Sequence, residues 1–268
     1  MHPELFRFGP VVVGSYGVML AIAFMAGIYI TMRLAERREI DRDKVLNLCF
    51  IILIAAIIGS RLLYVVTHLD EFQGRWLYTF LPVQPDGSIG LSGLIFLGGF
   101  IAALLAALVY VKKQNIPAFK MADSAAPALA FGLFVGRIGC FLNGCCFGKI
   151  CDTALGVKFP AGSAAGFVMG DVYLHPTQLY SSTYGLIIFV ILMLINYKKV
   201  ADGLIAAVFL VLYGIARFTV DFFRYYEEEM IVAGGLDWNQ IISLIMVIGG
   251  VILFFDRSRR AGKVFYRE

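Results

Sequence analysis

The sequence predicts an all-α membrane protein with seven transmembrane helices, N-terminus outside and C-terminus cytoplasmic. Three observations carry this. First, 60% of the 268 residues are hydrophobic and only 16% are charged, where soluble domains run at about 25% charged. The mean hydropathy of +0.80 agrees. Second, the apolar residues fall into seven segments that approach the roughly 20 residues needed to cross a bilayer. Third, the loops between them alternate in lysine and arginine content, which orients membrane helices.

The expected spans are roughly 13–32, 46–67, 91–111, 121–143, 177–197, 203–223 and 238–255. The first lacks a basic leader and is followed by Arg33, Arg37 and Arg38, so it is expected to stay in the membrane rather than be cleaved as a signal. The third is the cleanest, with no charge from Gly90 to Val111. Loops after spans 1, 3 and 5, together with the C-terminal tail, hold fifteen of the 23 Lys and Arg residues. The opposite loops hold five: Arg7, Arg75, Lys149, Lys158 and Arg224. That asymmetry sets the predicted topology. One membrane-embedded domain over 1–268 is the simplest organisation, with outer loops at about 68–90 and 144–176. Trp76, Tyr78 and Phe80 in the first loop suit an interfacial aromatic belt. The basic residues lie in short loops rather than one stripe, which argues against nucleic acid as a partner.

Three basic residues remain, Arg61, Arg137 and Arg217, each inside an expected span. A central arginine costs about 2.5–3.5 kcal/mol on insertion scales, so three cost about 8–10 kcal/mol before compensation. Each lies about six residues before its span's outer end, roughly 9 Å below the interface at the helical rise per residue. Three guanidiniums at one level suit bidentate capture of a phosphate. The plainer alternative is snorkelling or helix–helix association. Arg217, Asp221 and Arg224, spaced i, i+4, i+7, are expected on one helix face with Asp221 pairing both arginines. Tyr16, Asn143, His175, Gln178 and Tyr180 cluster at the same ends of their spans. Gly132 and Gly136 in span 4, and Gly98-Gly99 in span 3, read as sites of close helix packing.

Several ordered blocks are recognisable. Gly136-Arg137-Ile138-Gly139-Cys140-Phe141-Leu142-Asn143-Gly144, followed by Gly148, resembles the signature of bacterial prolipoprotein diacylglyceryl transferases. Tyr16-Gly17, Gly59-Ser60-Arg61-Leu62-Leu63-Tyr64, Asp123 with Pro127, His175-Pro176-Thr177-Gln178-Leu179-Tyr180, and Tyr213-Gly214-Ile215-Ala216-Arg217-Phe218 with Asp221 and Arg224 are similar to that family's other motifs, in order. Gln240-Ile241-Ile242-Ser243 resembles the start of its last span. The resemblance implies seven spans in the bacterial cytoplasmic membrane. It implies an enzyme that moves the diacylglyceryl group of phosphatidylglycerol to the lipobox cysteine thiol of prolipoproteins, releasing glycerol phosphate. Its partners would be phosphatidylglycerol and prolipoprotein signal peptides, with no cofactor and no metal. The resemblance assigns phosphate binding to Arg137 and leaving-group stabilisation to Arg217. Tyr16, Asn143 and Gly148 would shape the lipid site, and Arg61, Gly98, Asp221 and Arg224 would complete the substrate-binding set.

The chain departs from the family at chemically telling places. The family's span 3 motif has a histidine where this chain aligns Leu97, and leucine cannot take a proton. His175 is the available replacement at the right level; its plainer role is a hydrogen-bonding cap on span 5. Cys140 replaces the usual Asn, and Cys145-Cys146 replace an acidic residue and its neighbour. With Cys151 these make C-x4-CC-x4-C. A disulfide from Cys151 to Cys145 or Cys146, free thiols, and a metal site are the three alternatives; the spacing matches no zinc pattern well. Cys49 reads as a small apolar filler. Two functional readings follow beside the active transferase. One is a non-catalytic lipid- or lipoprotein-binding relative. The other is a small-anion transporter, which needs inner-half charge that the sequence lacks.

Overall fold

The computed structural model describes residues 4–8, 11–72, 94–198, 200–226, 232 and 235–265. It contains seven helices long and apolar enough to cross a membrane. All seven coincide with the expected spans. The aromatic residues Trp76, Tyr78 and Phe80 lie outside the described residues. One domain is the expectation from sequence; the contacts divide the chain into two compact units, Ala35–Ala118 and Met1–Leu34 with Phe119–Glu268.

The smaller unit is a helical pair. Helix α2 (Arg42–Thr67) is started by Asp41, whose Oδ1 accepts from the amides of Asp43 (2.8 Å) and Lys44 (3.1 Å). This satisfies donors that a helix N-terminus leaves open. A four-residue helix α3 (Leu69–Phe72) follows, and α4 (Phe96–Lys113) packs back on α2. Glycine permits the contact: a Cβ on Gly59 would overlap Ala102 and the Gly98 carbonyl, and one on Gly98 would overlap Gly59 and Leu63. Close backbone approach of this kind drives membrane helix pairing where no hydrophobic effect is available. Gly98 is thereby explained by packing. Leu104 and Leu108, on the far side of α4 from Gly98, are exposed, as expected of a surface that meets lipid.

The larger unit begins with an antiparallel hairpin, β1 (Glu4–Phe8) and β2 (Val11–Gly14), that leads into α1 (Ser15–Glu36). Helix α5 (Ala118–Asn143) carries the signature residues. Next comes a folded segment containing β3 (Val157–Lys158), α6 (Ala164–Met169) and β4 (Tyr173–Leu174), with β3 and β4 antiparallel. It has its own apolar core of Phe147, Phe159, Ala165 and Leu174. Helices α7 (Thr177–Asn196), α8 (Leu204–Asp221) and α9 (Trp238–Phe265) complete the unit. Ala126 and Ala130 of α5 meet Ile188 and Leu192 of α7 and Ile205 of α8 in a second core.

Two polar devices fix these helices. Asp123 of α5 is buried, and its carboxylate accepts from the amides of Gly203 (2.7 Å) and Ala206 (2.8 Å). It caps α8, whose N-cap position is a glycine with no side chain to do so. At α9, Asp237 Oδ1 accepts from the amides of Asn239 and Gln240, and Gln240 Oε1 accepts from the Asp237 amide. That is a reciprocal capping box. The expected close packing at Gly132 and Gly136 does not occur: no described atom lies within 4 Å of a Cβ placed at either. The tight contacts of α5 fall instead at Gly139, against Met19 and Tyr16 of α1, and opposite Gly185 of α7. The glycine pair therefore turns away from the helices that α5 packs on.

Candidate functional site

The site is assembled in the larger unit where α5 ends. Gly144 (φ 72°) and Cys146 (φ 61°) both adopt the left-handed backbone conformation, which turns the chain sharply after Asn143. Two side chains at the start of α7 hold the turn from outside. Thr177 Oγ1 donates to the Cys146 carbonyl (2.9 Å), and Gln178 Nε2 donates to the Cys145 carbonyl (2.8 Å). Both residues are buried, so these carbonyls are satisfied without water. The amide of Gly148 donates to the His175 carbonyl (3.0 Å), and the His175 amide returns to the Lys149 carbonyl (2.9 Å). A Cβ at Gly148 would stand 2.6 Å from His175 and from the Phe223 carbonyl. Only glycine fits there, which supports a shaping role for this position by geometry alone.

Arg137 projects from the last two turns of α5, six residues before its end, and is half-buried. No hydrogen bond or ion pair joins it to a described side chain. Tyr16 at the start of α1 lies within electrostatic reach of Arg137 and of Cys140, Cys145 and Cys146. Arg217 sits four residues before the end of α8 and is 8% exposed. Its Nη1 stands 2.6 Å from Asp221 Oδ1. Its Nη2 donates to the Tyr226 hydroxyl (2.8 Å), which donates in turn to Asp221 Oδ1 (2.7 Å) and accepts from Asn239 Nδ2 (3.1 Å). Oδ2 of Asp221 is buried with no hydrogen-bond partner among the described residues. The guanidinium is thus charge-compensated and held from two sides, by carboxylate and phenol.

The expected pairing of Asp221 with both arginines is only half realised. Helix α8 ends at Asp221, so Arg224 leaves the helical face that i+7 spacing assumes. It lies over the Tyr226 ring at 5.2 Å instead. Arg61 belongs to the smaller unit, where it stacks on Tyr64 and Phe72. Leu97 and Gly98 lie in that unit too. His175 does not cap α7, whose N-cap position is Pro176 without a side-chain hydrogen bond. Its Nδ1 lies 3.1 Å from the Tyr180 hydroxyl and its ring packs on Phe223.

Two tyrosines were not legible as site residues. Tyr184 of α7 lies within electrostatic reach of both Arg137 and Arg217. Its hydroxyl is buried, with Ser181 as its side-chain neighbour. Tyr226 lies between the last two recognisable motifs, and nothing in its spacing marks it. The cysteines decide among the three alternatives left by the sequence. All five are free. Cys151 is buried against Thr153, with Sγ 3.1 Å from its hydroxyl. Cys140, Cys145 and Cys146 form the cluster, their sulfurs all within 4.8 Å of one another. Hydrogen bonds from the Cys140 and Cys145 thiols, and then the charges of Arg224 and Arg137, hold the Cys146 thiol well below the ordinary thiol range.

These features define a class: a polytopic membrane protein with an uncommitted arginine, a second braced by carboxylate and phenol, and a tightly stitched turn beside them. The profile of the prolipoprotein diacylglyceryl transferase family matches residues 3–255, and the chain belongs to that family. It is similar to proteins named phosphatidylglycerol–prolipoprotein diacylglyceryl transferase. The one from Clostridium tetani is 29% identical, covering 97% of this chain and 100% of the relative. That from Geobacter sulfurreducens is 32% identical, covering 97% and 96%. That from Aliivibrio salmonicida is 33% identical, covering 97% and 89%.

Proposed function

We propose that this protein transfers the diacylglyceryl group of phosphatidylglycerol to the lipobox cysteine thiol of prolipoproteins, at the outer leaflet of the bacterial cytoplasmic membrane. The observation that carries the reading is Arg137, a guanidinium within a span and joined to no described side chain by hydrogen bond or ion pair. A charge left uncommitted at that depth is costly unless a ligand uses it, and a lipid phosphate is the anion at headgroup level.

In this reading Arg137 binds the phosphate through paired N–H donors. The substrate's thiolate attacks the glycerol carbon that bears the phosphate oxygen. The carbon–oxygen bond breaks, and glycerol phosphate leaves with the electron pair. Arg217 stabilises the charge that develops on that oxygen. It can do so because Asp221 and Tyr226 fix its orientation in advance, so little reorganisation accompanies the reaction. Tyr16, Tyr184, Asn143 and the Gly148 turn wall the lipid headgroup. Arg224 supports substrate binding beside them, and Arg61 and Gly98 of the smaller unit keep the substrate-binding role that the resemblance implies.

The test is conversion of a lipobox peptide and phosphatidylglycerol to a thioether-linked lipopeptide by the purified protein in lipid. Wild type should give product and glycerol phosphate. Arg137→Ala should lower the rate on the order of 100-fold or more. Leu97 favours one other reading, a lipid-binding relative without turnover. Bound phosphatidylglycerol with no glycerol phosphate release from a folded protein would establish that reading instead.

A further inference from the structure

We propose that Cys140, Cys145 and Cys146 form a three-thiolate zinc site whose open fourth position takes the substrate's cysteine and presents it as the attacking thiolate. The proposal rests on the transferase reading above and supplies what that reading lacks. The reaction needs a thiolate. An ordinary thiol near pKa 8.5 is only a few per cent ionised at neutral pH. Leu97, where the resemblance implies a histidine, cannot take a proton.

The geometry fits a metal. Three sulfurs all lie within 4.8 Å of one another. Zinc–sulfur bonds of about 2.3 Å in tetrahedral geometry place sulfurs about 3.8 Å apart, so closure requires movements of about 1 Å or less. The turn that gathers the thiols is built for it. Cys146 holds a left-handed φ of 61°, a conformation that a non-glycine residue rarely adopts. Thr177 and Gln178 hold the carbonyls of Cys146 and Cys145 in that turn. The motif C-x4-CC fails ordinary zinc spacing because those patterns assume hairpin or helical ligand pairs, not two left-handed residues at a helix end.

The coordination count points to reaction rather than structure. Structural zinc sites are closed by four protein ligands, whereas catalytic sites keep three and leave one position open. No fourth His, Cys, Asp or Glu among the described residues joins this group. Cys145 and Cys146 are half-buried rather than sealed. Three thiolates on a divalent ion leave a net negative charge, and Arg224 lies within electrostatic reach of Cys146 to offset it.

The step balances. The substrate thiol enters the fourth position, and coordination releases its proton to water at the membrane face. The bound sulfur attacks the glycerol carbon and forms the carbon–sulfur bond. The carbon–oxygen bond breaks and the glycerol phosphate oxygen takes the electron pair and a proton from water. The thioether is a weak ligand and leaves.

The experiment uses the full chain purified under reducing, oxygen-free conditions. Stoichiometric zinc is expected by elemental analysis, lost in Cys146→Ser. Cobalt(II) loaded in place of zinc should show sulfur-to-cobalt charge transfer. That spectrum should change when a lipobox peptide is added and stay unchanged with the peptide's cysteine replaced by serine. Chelation should lower thioether formation about 100-fold and leave phosphatidylglycerol binding intact. A second variant, Cys140→Asn with Cys145→Glu, restores family-typical residues and guards against misfolding; it should lose zinc and activity while still binding phosphatidylglycerol. No zinc or cobalt bound, or full activity after chelation, overturns the metal proposal with the transferase reading intact. A cobalt spectrum that responds to the peptide thiol, with no product ever formed, upholds the site and overturns the transferase reading.

Discussion

Tyr226 uses its whole hydrogen-bonding capacity on three partners. Its hydroxyl donates to Asp221 and accepts from Arg217 and Asn239. Tyr226→Phe leaves Arg217 and Asp221 each short of a partner in a buried place, which costs about 1–3 kcal/mol. A lower unfolding temperature in detergent and reduced transfer activity are the expected results. The titration adds a second readout. Burial, ahead of its charged neighbours, pushes the phenol up to about 12, while an unfolded tyrosine ionises near 10. Between those values the folded protein holds a proton that the unfolded chain has lost. Stability from this residue is therefore complete below about pH 10 and falls as pH rises toward 12. Wild type should lose unfolding temperature across that window more steeply than Tyr226→Phe; parallel curves would show that the hydroxyl is not buried in this network.

At the level of elements, the cap on α8 comes from another helix. Asp123→Ala removes the acceptor for two amides and the negative charge that faces the positive end of the helix dipole. A loss of about 1–2 kcal/mol in the larger unit is expected, with Asp123→Asn intermediate because one amide oxygen can serve only part of the pair. Thermal unfolding of the purified protein checks it, and an unchanged Asp123→Ala would mean that water replaces the cap. The sequence made Asp123 visible as part of a motif but not its partner, because Gly203 is 80 residues away. The same limit separates what was legible from what was not. All seven spans could be read because composition over some 20 residues decides them. Gly98-Gly99 could be read as packing, whereas Gly132 and Gly136 carried the same pattern and turn to no neighbour. Arg137 and Arg217 stood out by cost alone. The cysteine motif stood out too, but not that Cys140, Cys145 and Cys146 meet without Cys151, since two left-handed residues bring them together and no spacing rule anticipates them. The pairing of Arg224 with Asp221 failed because helix periodicity stops where the helix stops.

At the scale of the molecule, the proposed reaction demands one orientation. Phosphate capture by Arg137 and the turn at Cys145–Cys146 both belong to the end of α5 that carries Asn143, so that end must face the leaflet where prolipoproteins present their lipobox. The loops at the opposite ends hold fifteen Lys and Arg against five, the excess expected of cytoplasmic loops. The two arguments are independent, one from chemistry and one from insertion, and they select the same topology. A fluorescent protein fused after Glu268 should therefore fold and emit, since it stays cytoplasmic, while alkaline phosphatase fused at the same point should be inactive. A phosphatase inserted in the exposed Thr153–Leu155 stretch should be active. The reverse pattern would place Arg137 toward the cytoplasm, and the transfer reaction would lose its acceptor whatever the geometry of the site.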